Sequence, residues 1–316
     1  MHSLFDPSSP QARAVAGLWW WMLAVGGTVW LIVIVAMLWA AITRRQRRLS
    51  SDLVRLDDTA HVRTERVVTI ASGITVAILI AFLAYDFTVG HALAQHPLRA
   101  LTIDVTGHQW WWQVLYEDPD PSRQLVTANE IHVPVGVPIQ FKLRAADVIH
   151  SFWAPSLNGK KDLIPGYTTT LWFQADTAGR YRGQCAEFCG LQHAKMAFYI
   201  VAEPKPKFAA WLAAASQAPA SPSDPHLVYG QRVFLSAGCA TCHTIAGTQA
   251  RATVGPDLTH LGSRETLAAG TLANTRENLL RWIVDPGLWK PGVHMPAVPL
   301  SPPQQEALAD YLESMK

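Results

Sequence analysis

The sequence predicts a multidomain membrane protein: a two-helix transmembrane hairpin, then an all-β module, then a small all-α module. Three observations carry the prediction. Two long runs near the start are apolar and almost free of charge, the middle of the chain alternates in short β-branched runs broken by turn residues, and the last third carries helix start and stop signals around a compact cysteine motif. At 316 residues and a formal net charge of +2, the chain is long enough for about two folded domains and shows no nucleic-acid footprint. Its 4 cysteines form two close pairs, Cys185 with Cys189 and Cys239 with Cys242. That is not a disulfide scaffold, and no structural disulfide is expected.

The hairpin occupies residues 1–100. Residues 18–42 contain no charge; some 25 residues make roughly 37 Å of helix, enough to cross a bilayer with some tilt. Trp19, Trp20 and Trp21 at one end and Trp39 at the other suit the two interfaces. A second span covers 67–89, eroded at its far end by Asp86 and Gly90. The first span is too long for a signal-peptide core and only Arg13 precedes it, whereas Arg44, Arg45, Arg47, Arg48, Arg55, Arg63 and Arg66 follow. The positive-inside rule then places a 43–66 loop in the cytoplasm and both termini outside. Glu65, just before the second span, reads from its spacing as a solvated carboxylate, while its place at a membrane boundary also suits proton traffic.

From residue 101 to 203 the pattern is strand-like. The runs LTIDVTGHQWWW, NEIHVPVGVPIQFKL, TTTLWFQ and AFYIVAEP are separated by breaks such as Gly136 and Gly166, the signature of a sandwich or barrel. Within this module Cys185, Cys189, His193 and Met196 fall in twelve residues. Thiolate and thioether select copper, whereas zinc has little use for methionine. The same spacing also lies on one helical stripe, as a buried core face would. A loop between two strands fits that stripe poorly, and His150, at the end of the run IQFKLRAADVI, can reach the same end of a sandwich. Two thiolates with two histidines also permit a dinuclear copper centre with bridging sulfurs.

These residues carry a resemblance. The blocks GHQWWW at 107–112, HSFWAP at 150–155, KDLIPG at 161–166 and the 185–196 stretch resemble the cupredoxin-like CuA domain of cytochrome c oxidase subunit II, and a preceding helical hairpin belongs to the same pattern. The resemblance implies that Cys185 and Cys189 bridge two coppers, that His150 with Met196 completes one, and that His193 with the backbone carbonyl of Glu187 completes the other. It further implies a magnesium site at the Glu187 carboxylate, shared with the catalytic subunit. It makes Trp110 the aromatic residue through which electrons enter and Glu65 a residue at the mouth of a proton channel. Val68 stands where the family often has tryptophan, and the tryptophan triplet suits ordinary packing as well.

Residues 204–225, rich in proline, alanine and serine and holding an alanine-rich helical patch around Phe208–Ala215, read as a semi-extended tether rather than a packed element. In 226–316 the run CATCH at 239–243 is the C-x-x-C-H signature of covalent haem c attachment, with His243 as an axial ligand. Met295 in the Pro/Gly-rich strap KPGVHMP is the favoured second ligand, because methionine raises the reduction potential; His294 and His260 compete, and Met315 reads as packing. Helices are expected over 228–237, over 276–284 with Thr275 as cap, and after Ser301. The full order resembles subunit II of caa-type haem–copper oxidases, with a cytochrome c fused to the CuA subunit. What this implies is an electron-input subunit of a proton-translocating cytochrome c oxidase in a bacterial cell membrane, with both redox domains on the periplasmic face. Its implied partners are oxidase subunits I and III and an external cytochrome c or cytochrome bc complex. Alternatives are a CuA and haem c subunit of another respiratory reductase, or a membrane copper-handling assembly protein.

Overall fold

The computed structural model of the protein describes residues 5–48, 58–95 and 100–316. It divides into two compact units, Ala14–His96 and the remainder.

The first unit is a helical pair, α1 (Pro10–Arg48) and α2 (Asp58–Ala94). The stretches apolar and long enough to cross a membrane are Pro10–Thr43 and Val62–Ala94, so both helices outrun the expected spans of 18–42 and 67–89. Much of the expected 43–66 loop is helix; residues 49–57, which include Arg55, lie outside the described residues. Arginine and glutamine are good helix formers, and nothing in 43–48 stops the hydrogen-bond ladder at the edge of the apolar run. Hydroxyls on these helices bond back to carbonyls one turn earlier, as Thr28 Oγ1 does to Ala24 at 2.7 Å. In hydrocarbon that satisfies those hydroxyl donors. Trp21 and Phe82 meet edge to face across the pair at 6.3 Å. Glu65 is exposed on α2.

The start of α1 belongs to the other unit. Ser8 N–H donates to Ser156 O (2.7 Å), and Arg13 pairs with Asp176 (2.6 Å).

That unit opens with ten strands: β1 (Leu101–His108), β2 (Trp111–Tyr116), β3 (Leu125–Ala128), β4 (Glu130–Pro134), β5 (Ile139–Ala145), β6 (His150–Trp153), β7 (Lys161–Leu163), β8 (Thr169–Phe173), β9 (Gly179–Cys185) and β10 (Ala197–Glu203). They form two five-stranded sheets in the orders β3-β2-β1-β5-β8 and β4-β10-β9-β6-β7. Alternate burial along β2 and β5 turns one face of each inward. Ile103, Phe141 and Phe173 of one sheet share a core with Phe152, Phe198 and Ile200 of the other. Trp112 is wholly buried with its ring 5.2 Å from that of Phe198, which stacks on Phe152 at 4.2 Å. Each such burial contributes about 1.5–3 kcal/mol.

The segment 204–225 does not behave as a tether throughout. Its first half is α3 (Lys205–Ala215), with Phe208 buried in the β core and Trp211 stacked on His132 at 4.0 Å. An alanine-rich run with two aromatics spaced three apart on one face is a packing helix, and that spacing outweighs the prolines before it.

Beyond it come α4 (Pro225–Ser236), a two-residue hairpin β11 (Thr266–Leu267) and β12 (Leu272–Ala273), α5 (Arg276–Val284), α6 (Pro286–Trp289) and α7 (Pro302–Glu313). The short hairpin is an addition to the expected all-α module. Thr275 Oγ1 accepts the Asn278 N–H, and Ser301 with Gln304 forms a capping box. Tyr311, Phe234 and Leu308 fill the core, and Met315 is buried with them as packing.

The β and helical modules of this unit lie against each other. The buried Glu130 carboxylate on β4 accepts the backbone N–H groups of Glu265 (2.9 Å) and Thr266 (3.1 Å), and Arg180 on β9 pairs with Glu265 at 2.7 Å.

Candidate metal centre and haem site

The cysteine stretch is a loop closing β9 to β10, with one 3₁₀ turn at His193–Lys195 rather than a helix. β9 delivers Cys185 from its last position and β6 delivers His150 from its first. The ligand atoms converge. Cys185 Sγ lies 3.7 Å from Cys189 Sγ, 3.8 Å from His150 Nδ1 and 3.2 Å from the Glu187 carbonyl oxygen. Cys189 Sγ lies 3.7 Å from His193 Nδ1 and 3.8 Å from Met196 Sδ. His150, Cys185, Cys189 and Met196 are all buried. The Glu187 side chain is exposed, and only its carbonyl turns toward the thiols.

Neighbouring groups hold this arrangement. His150 Nε2–H donates to Asp147 Oδ1 (2.8 Å), which leaves Nδ1 free to face the sulfurs. Asp147 in turn accepts the backbone N–H groups of Gln109 (2.6 Å) and Val148 (2.7 Å). Gly107 makes room for the ring: a Cβ there would lie 2.8 Å from His150 Cδ2. The two thiols divide their charge. Their mutual contact holds the Cys185 thiol well below the usual thiol range and drives Cys189 upward. Two thiolates this close in a buried site repel unless cations lie between them, so the donor set fits soft metal ions.

The second motif lines a cavity of about 280 Å³. Cys239, Cys242, His243 and Met295 all line it, with apolar surface from Leu258, Leu279 and Ile283. His243 Nδ1–H donates to Pro256 O (2.7 Å), and burial pushes the imidazole's pKa down. A neutral ring with its Nε2 lone pair free is the form that ligates iron. Gly255 leaves space beside the ring, where a Cβ would sit 2.6 Å from Cε1. Arg264 also lines the cavity and is almost fully buried. It donates to Asp257 O at 2.5 Å, while its Nε has no partner among the described residues. An apolar cavity with one under-satisfied guanidinium and a thiol pair fits a flat apolar cofactor that bears carboxylates. All four cysteines are free.

Residues 118–203 match the family described as cytochrome c oxidase subunit II, periplasmic domain, and residues 227–316 match the cytochrome c family. The chain joins a subunit II periplasmic domain to a cytochrome c domain. It is 42% identical over 215 residues to cytochrome c oxidase subunit 2 of Alkalihalophilus pseudofirmus, covering 68% of this chain and 61% of that one. It is 32% identical over 230 residues to that of Bacillus sp. strain PS3, covering 69% and 63%. The match thus spans less than two thirds of these relatives' own length. A solved periplasmic domain of subunit II of cytochrome oxidase from Bradyrhizobium japonicum is 35% identical, covering 38% of this chain and 96% of that one, with a TM-score of 0.36.

The cytochrome c domain and the subunit II domain share the wall of this cavity. Gln109, Trp110 and Trp111 of the subunit II domain line it together with the cysteines. Trp110 is buried; its Nε1–H donates to Cys189 O (2.9 Å), and its ring lies 5.0 Å from that of His294. Of the competing axial residues, Met295 and His294 line the cavity, whereas His260 does not and bonds Gln217 O at 3.0 Å. Glu65 lies in the other unit. Sequence reasoning missed Asp147, Arg264 and Lys290. Asp147 precedes His150 by one i,i+3 step, a usable cue for a histidine orienter, while the other two carry no local signal.

Proposed function

We propose that the chain is the electron-input subunit of a terminal respiratory oxidase of the cytochrome c oxidase class. When bound, a dinuclear copper centre of the CuA type and a covalent haem c supply one-electron carriers between an external donor and a catalytic subunit that reduces dioxygen to water. Cys185, Cys189, His150, His193, Met196 and the Glu187 carbonyl would hold the copper. Cys239 and Cys242 would form the thioethers, and His243 and Met295 would be the axial ligands.

The observation that carries this reading is Trp110. One side chain hydrogen-bonds the carbonyl of a copper-ligand candidate and also lines the haem cavity. Asp147 orients His150, and the apolar wall of Leu258, Leu279 and Ile283 would keep water from a haem held in the cavity. The domain division follows: a membrane hairpin within residues 1–100, a cupredoxin-like CuA domain at 101–203, and a cytochrome c domain at 226–316. The arginine-rich connection between the helices faces the cytoplasm, and both redox domains face the periplasm of a bacterial cell membrane. Partners are oxidase subunits I and III, with magnesium held by the Glu187 carboxylate at the boundary with subunit I and Glu65 at the mouth of a proton path. A cytochrome c or a cytochrome bc complex is the donor.

Co-purification tests the reading. The tagged full chain is expected to bring down a large haem-containing membrane subunit with dioxygen-reducing activity. Recovery of the chain alone, with readily reversible release of its copper to a soluble acceptor, would instead make it a copper-handling protein.

A further inference from the structure

We propose that Lys290 is a positioning residue that fixes the docking register of the cytochrome c domain on the subunit II domain, pinning the methionine-bearing strap against Trp110 and the copper-ligand loop. The proposal rests on the functional reading above for its consequence, and on geometry for its content.

Lys290 is 2% exposed, and its Nζ donates to one carbonyl from each domain, Trp110 O at 3.0 Å and Ala268 O at 3.3 Å. No carboxylate pairs with it among its described contacts. Burial draws its pKa down to about 7, with the Lys195 ammonium acting in the same direction and the Cys189 thiol as the other titratable neighbour. A buried amine held only by carbonyls is an expensive way to fill space, and an apolar side chain of similar volume packs there at lower cost. What the amine adds is direction. Apolar contacts tolerate sliding, whereas one nitrogen satisfying two fixed carbonyls allows a single register.

The rest of the strap agrees. Lys195 Nζ donates to Trp289 O and Gln192 Nε2 donates to Pro291 O. Gly292, at φ +82°, packs so closely on Leu191 that a Cβ would lie 2.7 Å from its Cδ1. His294 then sits against Trp110, and Met295 turns into the cavity. Residues 289–292 and 294 therefore meet Trp110 or the 191–195 segment, which holds His193. The loop carrying the candidate haem ligand is fastened directly to the loop carrying candidate copper ligands. Lys290 is the buried centre of that fastening.

The test uses Lys290→Met in the haem- and copper-loaded full chain. One electron is injected photochemically into the oxidised haem, and its arrival at the oxidised copper pair is timed; amide hydrogen exchange is measured in parallel. The expected result is unchanged haem and copper content and absorption, electron arrival slowed by about tenfold or more, the loss matching one lost buried hydrogen bond, and faster exchange confined to residues 287–294 and 190–195. An unchanged rate with unchanged exchange overturns the proposal. If Lys290→Met fails to accumulate, Gln192→Ala combined with Lys195→Ala removes the strap's other two donors, and an unaltered rate there is equally fatal. A wild-type chain that binds no copper or haem refutes the functional reading, and the exchange contrast at 287–294 then judges Lys290 by itself.

Discussion

Substituting Gly107 by alanine puts a methyl group where the structure has none to spare. The new Cβ would lie 2.8 Å from His150 Cδ2, 3.0 Å from Cγ and 3.3 Å from Cβ. His150 cannot swing away, because it is fully buried, tied to Asp147 at 2.8 Å and packed edge-on to Trp112 at 6.0 Å. Either the ring or β1 must shift by several tenths of an ångström, at a cost of about 1–3 kcal/mol. For a domain of this size that lowers the melting midpoint by roughly 4–8 °C per kcal/mol. The displaced ring also pulls Nδ1 off the sulfurs, so copper is lost together with stability. Gly159→Ala is the control, since a Cβ there meets nothing within 4 Å. Copper content after dialysis and thermal unfolding of the full chain are the assays. Equal copper retention and equal midpoints in the two variants would refute the claim that Gly107 exists to admit His150.

Other expectations follow from the same geometry. Asp147→Ala removes the acceptor that orients His150 and is expected to weaken copper binding about 10–100-fold, read by competition with a chelator. Met295→Ala should lower the haem reduction potential in a redox titration, whereas His260→Ala should leave it unchanged because His260 lies outside the cavity. Glu130→Ala strands the N–H groups of Glu265 and Thr266 at the domain boundary and should cost about 1–3 kcal/mol, seen as faster amide exchange at 265–266. Lys290 gives a pH signature. Burial first and Lys195 second hold it to about 7 against an ordinary 10.5, so between those values the docked state binds fewer protons than the undocked state and docking strengthens as pH rises. The melting midpoint of wild type minus that of Lys290→Met should grow from about pH 7 toward pH 10; a flat difference would contradict the burial.

Much of this arrangement was legible in the sequence, where chemistry is written locally. The 185–196 ligands sit within one loop, CATCH at 239–243 within one turn, and Thr275 and Ser301 mark helix starts by capping rules that need only a few neighbours. The two long apolar runs, the first uncharged and the second carrying only Asp86, predicted the two long helices, although their ends slid outward because helix propensity does not stop where hydrophobicity does. The helical patch around Phe208–Ala215 was legible, but its packing was not, since proline and alanine content was weighed above the spacing of Phe208 and Trp211. What could not be read was anything set by two distant segments meeting. Lys290 looks like a solvated lysine in a turn until Trp110 and Ala268 close over it. Arg264 follows a loop serine and gives no hint that it lines a cavity, and the Glu130 carboxylate looks like any other strand-end acid.

The central claim is that one chain carries a copper pair and a haem on either side of Trp110. Elemental and spectroscopic analysis of the purified, haem-matured full chain tests it most directly. Two coppers with mixed-valence absorption and one covalently bound haem iron per chain are predicted. Zinc, a single copper, or a disulfide between Cys185 and Cys189 would contradict it.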